Sequence, residues 1–326
     1  MWSSATRPAA QVRTSASVFA HNPVMLTEAL AGLGVRAGGI YLDGTFGRGG
    51  HSGAILDALG GTGALHALDQ DPEACAHASA LYGARSNFHF HQRNFSQLGA
   101  LAAELKLSGR IDGILLDLGV SSPQFDDAAR GFSFANDGPL DMRMNPQAGE
   151  SAAQWLARAP EQEIAEVLWR YGDERNSRRI ARRIAESRAE KTLTGTAQLA
   201  ALIATVPGPR SRHIHPATRS FQAIRIHINR ELEVLEAVLT QAVEVLAPGG
   251  RLAVISFHSL EDRIVKRFLR DQAREADVFV PHVPRQHANT PPKLRLTGRR
   301  QMPAPAELEQ NPRARSAVLR VAERLP

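Results

Sequence analysis

Apolar and polar positions divide the chain into two regimes. Between residues 40 and 118, short apolar runs alternate with amphipathic segments. Ile40–Asp43 reads as a strand, and the glycine-rich GTFGRGGHSG after it as a turn opening a helix through Leu59. Ala64–Leu68 is a second strand ending at Asp69, and Asp71-Pro72 supplies a cap and a first-turn proline for a helix through Leu81. Asn87–His91 is a third strand, leading through Asn94-Phe95-Ser96 into a helix with Leu98, Leu101, Ala102 and Leu105 at helical spacing. Ile111–Leu118 is almost continuously apolar, as expected of a strand covered on both faces. Strands alternating with helices predict an α/β fold with a doubly wound parallel sheet.

The alternation then stops for about a hundred residues. Gly119–Asn145 is rich in Gly, Ser, Pro and Asp, and Pro160–Lys191 reads as helices rich in Arg and Glu. A helix over Asn229–Leu246 follows, with Leu232, Leu235, Val238, Leu239, Ala242, Val243 and Leu246 on one face and Pro248-Gly249-Gly250 as its stop. Arg251–Phe257 then resumes the strand pattern, Leu260–Gln272 is a helix and Ser316–Ala322 a terminal strand. The economical organisation is one sheet domain from 21–125 and 216–326, with a mostly helical module over 126–215 inserted after strand four. Residues 1–20 lack acids, carry Arg7 and Arg13 and have no apolar core; they read as a disordered extension, with a faint likeness to a transit peptide. No internal repeat is present.

Composition narrows the class. At 326 residues and 43% hydrophobic, the chain can bury a substantial core. The single cysteine, Cys75, excludes an internal disulfide framework and a cysteine-based zinc cluster, which suits a reducing, cytoplasmic setting. No run reaches the roughly 18 apolar residues needed to cross a bilayer. The net charge is +6, and four lysines (106, 191, 266, 293) leave 35 arginines among the 39 basic residues. Codon bias explains such a ratio on its own, so position matters more than the total. No acid lies between Lys191 and Arg230, where Arg210, Arg212, Arg219 and Arg225 stand beside His213, His215 and His227. A second acid-free stretch, Val278–Ala306, sets Arg285, Lys293, Arg295, Arg299 and Arg300 among six prolines and reads as an extended loop. Either stretch suits phosphate contacts or a solvated basic face.

The chemistry-bearing residues gather where an open α/β sheet binds ligands, outside the carboxyl ends of its strands. Asp43 and the glycines after it let backbone approach a ligand closely. Asp69, 19 residues after Gly50, can accept hydrogen bonds from both hydroxyls of a ribose. Phe95 can pack on an adenine ring, and Asp117 ends strand four. A Walker loop is excluded because His51-Ser52, not Lys-Ser/Thr, follows the glycines. Gly47-x-Gly49-xxx-Gly53 keeps an NADP-linked oxidoreductase open as an alternative, though Tyr41, Tyr82 and Tyr171 have no lysine four residues on. Asp43 better suits a cofactor carrying positive charge, such as S-adenosyl-L-methionine. His213 and His215 lack a third ligand at suitable spacing, so no metal is expected. Trp155 and Trp169 read as core residues, and the arginines 178, 179, 182 and 183 as a salt-bridged helix surface or an RNA grip.

Several long segments carry a specific resemblance. DGTFGRGGHS (43–52), ALDQDP (67–72), GILLDLGVSSPQFDDAARGFSF (113–134), GPLDMRM (138–144) and ISFHSLEDRIVKRF (255–268) resemble the bacterial ribosomal RNA small subunit methyltransferase H family over about residues 21–325. That resemblance implies a class I S-adenosylmethionine methyltransferase fold with an inserted substrate-recognition domain. It implies methylation of the exocyclic N4 of one cytidine in the decoding centre of 16S rRNA, with the small ribosomal subunit as partner. It assigns Gly49, Gly50 and His51 to the methionine part of the cofactor, Asp69 to the ribose and Phe95 to the adenine, with Asp117 and Gln124 nearby. Amino-methyltransferases of DNA carry Asp/Asn/Ser-Pro-Pro-aromatic after strand four, whereas Asp117-Leu118-Gly119-Val120 stands here. Asp117, Asp141 and the Ser256–Asp262 segment, with His258 as a proton relay, are therefore the catalytic candidates. A non-catalytic RNA-binding assembly factor is the alternative outside enzymes.

Overall fold

The computed structural model describes residues 23–208, 215–274, 277–278, 286–287 and 291–326. The N-terminal extension, Arg210, Arg212, His213 and Arg285 lie outside the described residues. The first half alternates as its pattern requires: α1 (Leu26–Leu33), β1 (Ile40–Asp43), α2 (Gly50–Leu59), β2 (Ala64–Asp69), α3 (Pro72–Tyr82), β3 (Phe88–Gln92), α4 (Leu98–Glu104) and β4 (Ile111–Asp117). A short α5 (Ser122–Asp126) opens the helical part: α6 (Ala152–Arg158), α7 (Glu161–Gly172), α8 (Ser177–Glu190), α9 (Thr196–Ala204) and α10 (Thr218–Ile228). The chain returns through α11 (Glu231–Val245), β5 (Leu246–Ser256) and α12 (Ser259–Gln272). It ends with the two-residue pair β6 (Asp277–Val278) and β7 (Gln286–His287), then β8 (Leu294–Leu296), α13 (Pro305–Gln310) and β9 (Val318–Arg324).

Seven strands form one sheet in the order β3-β2-β1-β4-β5-β9-β8. The strands β1 to β5 are mutually parallel. Contrary to an all-parallel sheet, β9 runs antiparallel between β5 and the edge strand β8. The result is a mixed seven-stranded sheet with helices on both faces. Strand order reverses between β1 and β4, and that switch point opens a crevice at their carboxyl ends.

The period of two along each strand divides the core. Leu42, Ile114, Leu116, Leu252 and Val254 pack under α4, α11 and α12. Their neighbours Tyr41, Leu115, Ala253 and Ile255 pack under α1, α2 and α3 on the other face. Both faces being covered, the central strands are apolar throughout. A separate cluster fills the helical module, from Phe132 and Trp155 through Ile180 and Leu199 to Phe221 and Ile224. The α10 residues Ala217, Phe221, Ala223 and Ile224 join that cluster rather than the sheet.

Two local expectations are corrected. Pro248-Gly249-Gly250 does not end an element but lies within β5, where pairing with β4 jumps from Ile111↔Leu246 to Gly113↔Arg251. The extra residues are absorbed as a bulge. Trp155 is fully buried, its Nε1 donating to Glu163 Oε1 at 2.8 Å, but Trp169 is 59% exposed. Helix α7 turns Ile164, Val167 and Leu168 inward, and Trp169 falls on the opposite face.

Candidate functional site

A cavity of about 550 Å³ opens over the switch point, a size typical of small-molecule sites. Its floor is the glycine-rich loop between β1 and α2. Gly49 adopts φ +78°, and a Cβ there would stand 2.6 Å from the Phe46 ring. At Gly50 a Cβ would meet Pro23 at 2.3 Å, so the N-terminal segment closes directly on this loop. His51 follows in the first turn of α2 and is buried.

The acids of the loops differ in what they do. Asp43 is 1% exposed and lies beneath the cavity, not on its lining. Its Oδ2 accepts from Ser52 Oγ at 2.7 Å and its Oδ1 from the Thr45 amide at 3.0 Å. Burial raises its pKa. Asp69 lines the cavity; its Oδ2 accepts from the Gly47 amide at 2.8 Å and its Oδ1 from the Asp71 amide at 2.9 Å. Burial pushes its pKa up to about 6. Each Asp69 oxygen keeps a lone pair, so a diol can still be accepted there.

Asp117 is the polar group left open. Its side chain is 24% exposed at the end of β4, while its Oδ1 is buried and has no hydrogen-bond partner. Burial, then the negative charges of Asp43 and Glu261, raise its pKa well above the carboxylate range. His51 Nε2 lies 3.1 Å from the carbonyl oxygen of Val24, which can only accept, so Nε2 carries the proton. Nδ1 then faces Asp117 Oδ2 at 3.5 Å, and burial pulls the His51 pKa down to about 4, keeping the ring neutral. A carboxyl with a buried, unpartnered oxygen is what a cationic or hydrogen-donating ligand would complete.

Phe95 lines the cavity from the loop after β3, packed against the core beneath α11. Gln124 also lines it, but both ends of its amide are committed. Its Oε1 accepts from the Ser121 amide at 2.9 Å, and its Nε2 donates to Asp71 Oδ2 at 2.7 Å. His258 reaches the cavity as the N-cap of α12. Its Nδ1 accepts from the Glu261 amide at 3.5 Å, which leaves the ring proton on Nε2, 3.1 Å from Glu261 Oε1. Asp141 is not brought to the cavity. Arg143 holds both its oxygens, Nε on Oδ1 at 2.8 Å and Nη2 on Oδ2 at 2.7 Å.

Sequence reasoning missed the residues that lock this site to the helical module. Asp71 caps Glu73, as its place before Pro72 suggests, but its Oδ2 also accepts from Arg130 Nη1 at 2.7 Å. The other nitrogen of Arg130 donates to the carbonyls of Arg143 and Met144. Arg225 lines the cavity and binds Glu231 through Nε at 2.9 Å and Nη2 at 2.8 Å. Among the described residues, Glu231, His258 and Glu261 bring three potential ligand atoms within 4.8 Å, but Arg225 already occupies both Glu231 oxygens. Only Glu261 had a local signature, the His-x-x-Glu capping box, obscured by histidine in place of serine or threonine.

Residues 18–325 match the MraW methylase family. The chain belongs to that family. Among MraW relatives, the ribosomal RNA small subunit methyltransferase H of Thioalkalivibrio sulfidiphilus is 62% identical over 307 residues, covering 94% of this chain and 98% of that one. The proteins of the same name from Xanthomonas euvesicatoria and Shewanella amazonensis are 56% and 55% identical, covering 94% of this chain in each case and 89% and 98% of theirs. An rRNA methylase structure from Streptococcus thermophilus overlaps 93% of this chain and 95% of its own, with a TM-score of 0.42 and 11% identity. The MraW signature therefore spans the sheet domain and the helical insertion together.

Proposed function

We propose that this MraW-family chain transfers the methyl group of S-adenosyl-L-methionine to the N4 amine of one cytidine in the decoding centre of 16S rRNA, within the small ribosomal subunit and hence in the cytoplasm. The observation that carries the reading is Asp117: a carboxyl on the cavity lining at the sheet's switch point whose buried Oδ1 has no partner. When bound, the cofactor supplies an electrophilic methyl on a sulfonium. The residues present fit it. Gly50 leaves backbone open to its methionine part beside His51, with Gly49 making the turn behind it, off the lining; Asp69 offers two acceptors for a ribose diol, and Phe95 offers a ring to an adenine.

Cytosine N4 is a weak nucleophile because its lone pair is delocalised into the ring. The Asp117 carboxylate can accept an N4 hydrogen, hold the amine towards the methyl group and take the proton released as the N–C bond forms and the bond from that methyl to the sulfonium breaks. His51 Nδ1 stands 3.5 Å from the other oxygen of that carboxyl. His258, whose Nδ1 accepts from the Glu261 amide and whose Nε2 stands 3.1 Å from Glu261 Oε1, is the candidate proton relay beside the cavity. Asp141 acts through Arg143 rather than on the base. Asp43 supports the loop from beneath, and Gln124 orients Asp71. The substrate module is read as continuing past residue 215 to Ile228, since α10 packs with the inserted helices and presents Gln222 and Arg225 to the cavity.

The test incubates small subunits from cells lacking the modification with labelled cofactor and maps the label by mass spectrometry. Label on N4 of one cytidine is expected; label on protein or on a ring carbon rejects the reading. Asp117→Ala and His258→Ala should each lower kcat at saturating cofactor, and wild-type turnover in both would remove them from the mechanism.

A further inference from the structure

Trp169 stands in the last turn of α7, 59% exposed, while Trp155 in the same module is fully buried. Five exposed arginines surround that end of the bundle: Arg170, Arg175, Arg178, Arg179 and Arg219. Backbone packing brings them together. Gly172 admits the first turn of α10 so closely that a Cβ there would stand 2.6 Å from the Arg219 carbonyl oxygen. Arg219 Nη1 donates to the carbonyl of Asp173 and Arg179 Nη1 to that of Pro207, each at 3.3 Å. The Arg170 guanidinium lies 5.5 Å from the Tyr171 ring.

Elsewhere many surface arginines hold a carboxylate, as Arg85 does with Asp57 and Arg93 with Glu104. Among the described residues, none of the five at this corner has an ion-pair partner. Glu174 is buried and its Oε1 accepts from the Asn176 amide at 2.9 Å, leaving Asp173 between the helices and Glu166, one turn before Trp169 and Arg170, as the exposed acids here against five arginines. Un-neutralised guanidinium groups around an exposed indole make a surface complementary to unpaired RNA, with arginines on phosphates and the aromatic face under a base. Helix α10 joins this corner to the cavity. Arg219 and Gln222, three residues apart, share a face, and Gln222 and Arg225 line the cavity within about 10 Å of axial rise.

We propose that this corner of α7, α8 and α10 docks the RNA flanking the target nucleotide, with Trp169 stacking on an unpaired base and the arginines on its phosphates. The proposal rests on the reading of the substrate as rRNA. Its test uses the full chain with unmodified small subunits, measuring filter binding against salt and steady-state methylation. Trp169→Ala should weaken binding and raise KM for subunits about tenfold, with kcat and cofactor affinity unchanged and Trp169→Phe restoring most of the loss. The pair Arg178→Gln with Arg179→Gln should reduce the slope of log affinity against log salt by about 1 to 2. Arg85→Gln, whose charge is paired, should change nothing. Binding and KM at wild-type values in the tryptophan and arginine variants would overturn the proposal. So would a wild-type dimer that Trp169→Ala disperses, which assigns the corner to a second copy. Wild-type chain that binds subunits without methylating a cytidine would instead refute the reaction and leave the docking data to be judged alone.

Discussion

Arg130 is the residue whose removal should reveal how the helical module is fastened to the cofactor side of the sheet. Its side chain and that of Asp71 are 8% and 5% exposed, and their 2.7 Å ion pair has little water to replace it. Arg130→Met keeps the aliphatic stem beside Phe132 but removes the donor from Asp71 Oδ2 and from the carbonyls of Arg143 and Met144. Asp71 Oδ2 would then rely on Gln124 Nε2 alone. Breaking one side of a buried pair costs about 3–5 kcal/mol, because the remaining charge stays desolvated. Asp71→Asn should cost somewhat less, because Glu73 Oε1 still stands 3.5 Å from the guanidinium. The double variant should cost less than the sum by about 2 kcal/mol, since no charge is left without its partner. Urea unfolding followed by circular dichroism and by Trp155 fluorescence measures all three and reports whether sheet and module still unfold together. Single costs below about 1 kcal/mol, or additivity within about 0.5 kcal/mol, would refute this account of the fastening.

Asp69→Ala should lower S-adenosyl-L-methionine affinity about a hundredfold, on the order of two charge-assisted hydrogen bonds, because it removes the diol acceptors and frees the Gly47 amide; calorimetric affinity within threefold of wild type would exclude that role. Asp117, held protonated by burial, should ionise when a sulfonium enters, so cofactor binding should release a proton and strengthen as pH rises above the ordinary carboxylate range. Equal binding enthalpies in buffers of different ionisation heat would contradict it. His66, stacked on His89 and His91, is pulled down to about 4 by burial. The unfolded chain takes up that proton below about 6.5 and the folded chain only near 4, so stability should fall between those values by ~2 kcal/mol and level off below. Replacing His66 by Phe should flatten that limb in pH-dependent denaturation, and an unchanged slope would rule the histidine out.

The alternation of elements from Ile40 to Asp117 was legible because each strand is followed by a glycine turn or a capped helix, signals contained within a few residues. The lining of the cavity was legible in part for the same reason. Once the strands are parallel, their carboxyl ends must share an edge, and the residues there, Gly50, Asp69, Phe95 and Asp117, reach one cavity. What local pattern could not carry was partnership. Asp43 faces inward because Ser52 and Thr45 draw its oxygens beneath the loop, and Asp141 is held away from the cavity by Arg143. Trp169 resembles Trp155 in context, and only the angular position of each on its helix separates a core residue from an exposed one.

By itself, then, the sequence determined the order of strands and helices from Ile40 to Asp117 and the sheet edge they share, which depend on neighbours within about one element's length. Tertiary structure decided the antiparallel entry of β9, the buried bond between Asp71 and Arg130, 59 positions apart, and the single carboxyl oxygen of Asp117 left without a donor. The physical reason is that burial and hydrogen-bond satisfaction are set by groups distant along the chain, so which charges are neutralised and which remain open emerges only when the sheet and the helical module close on each other.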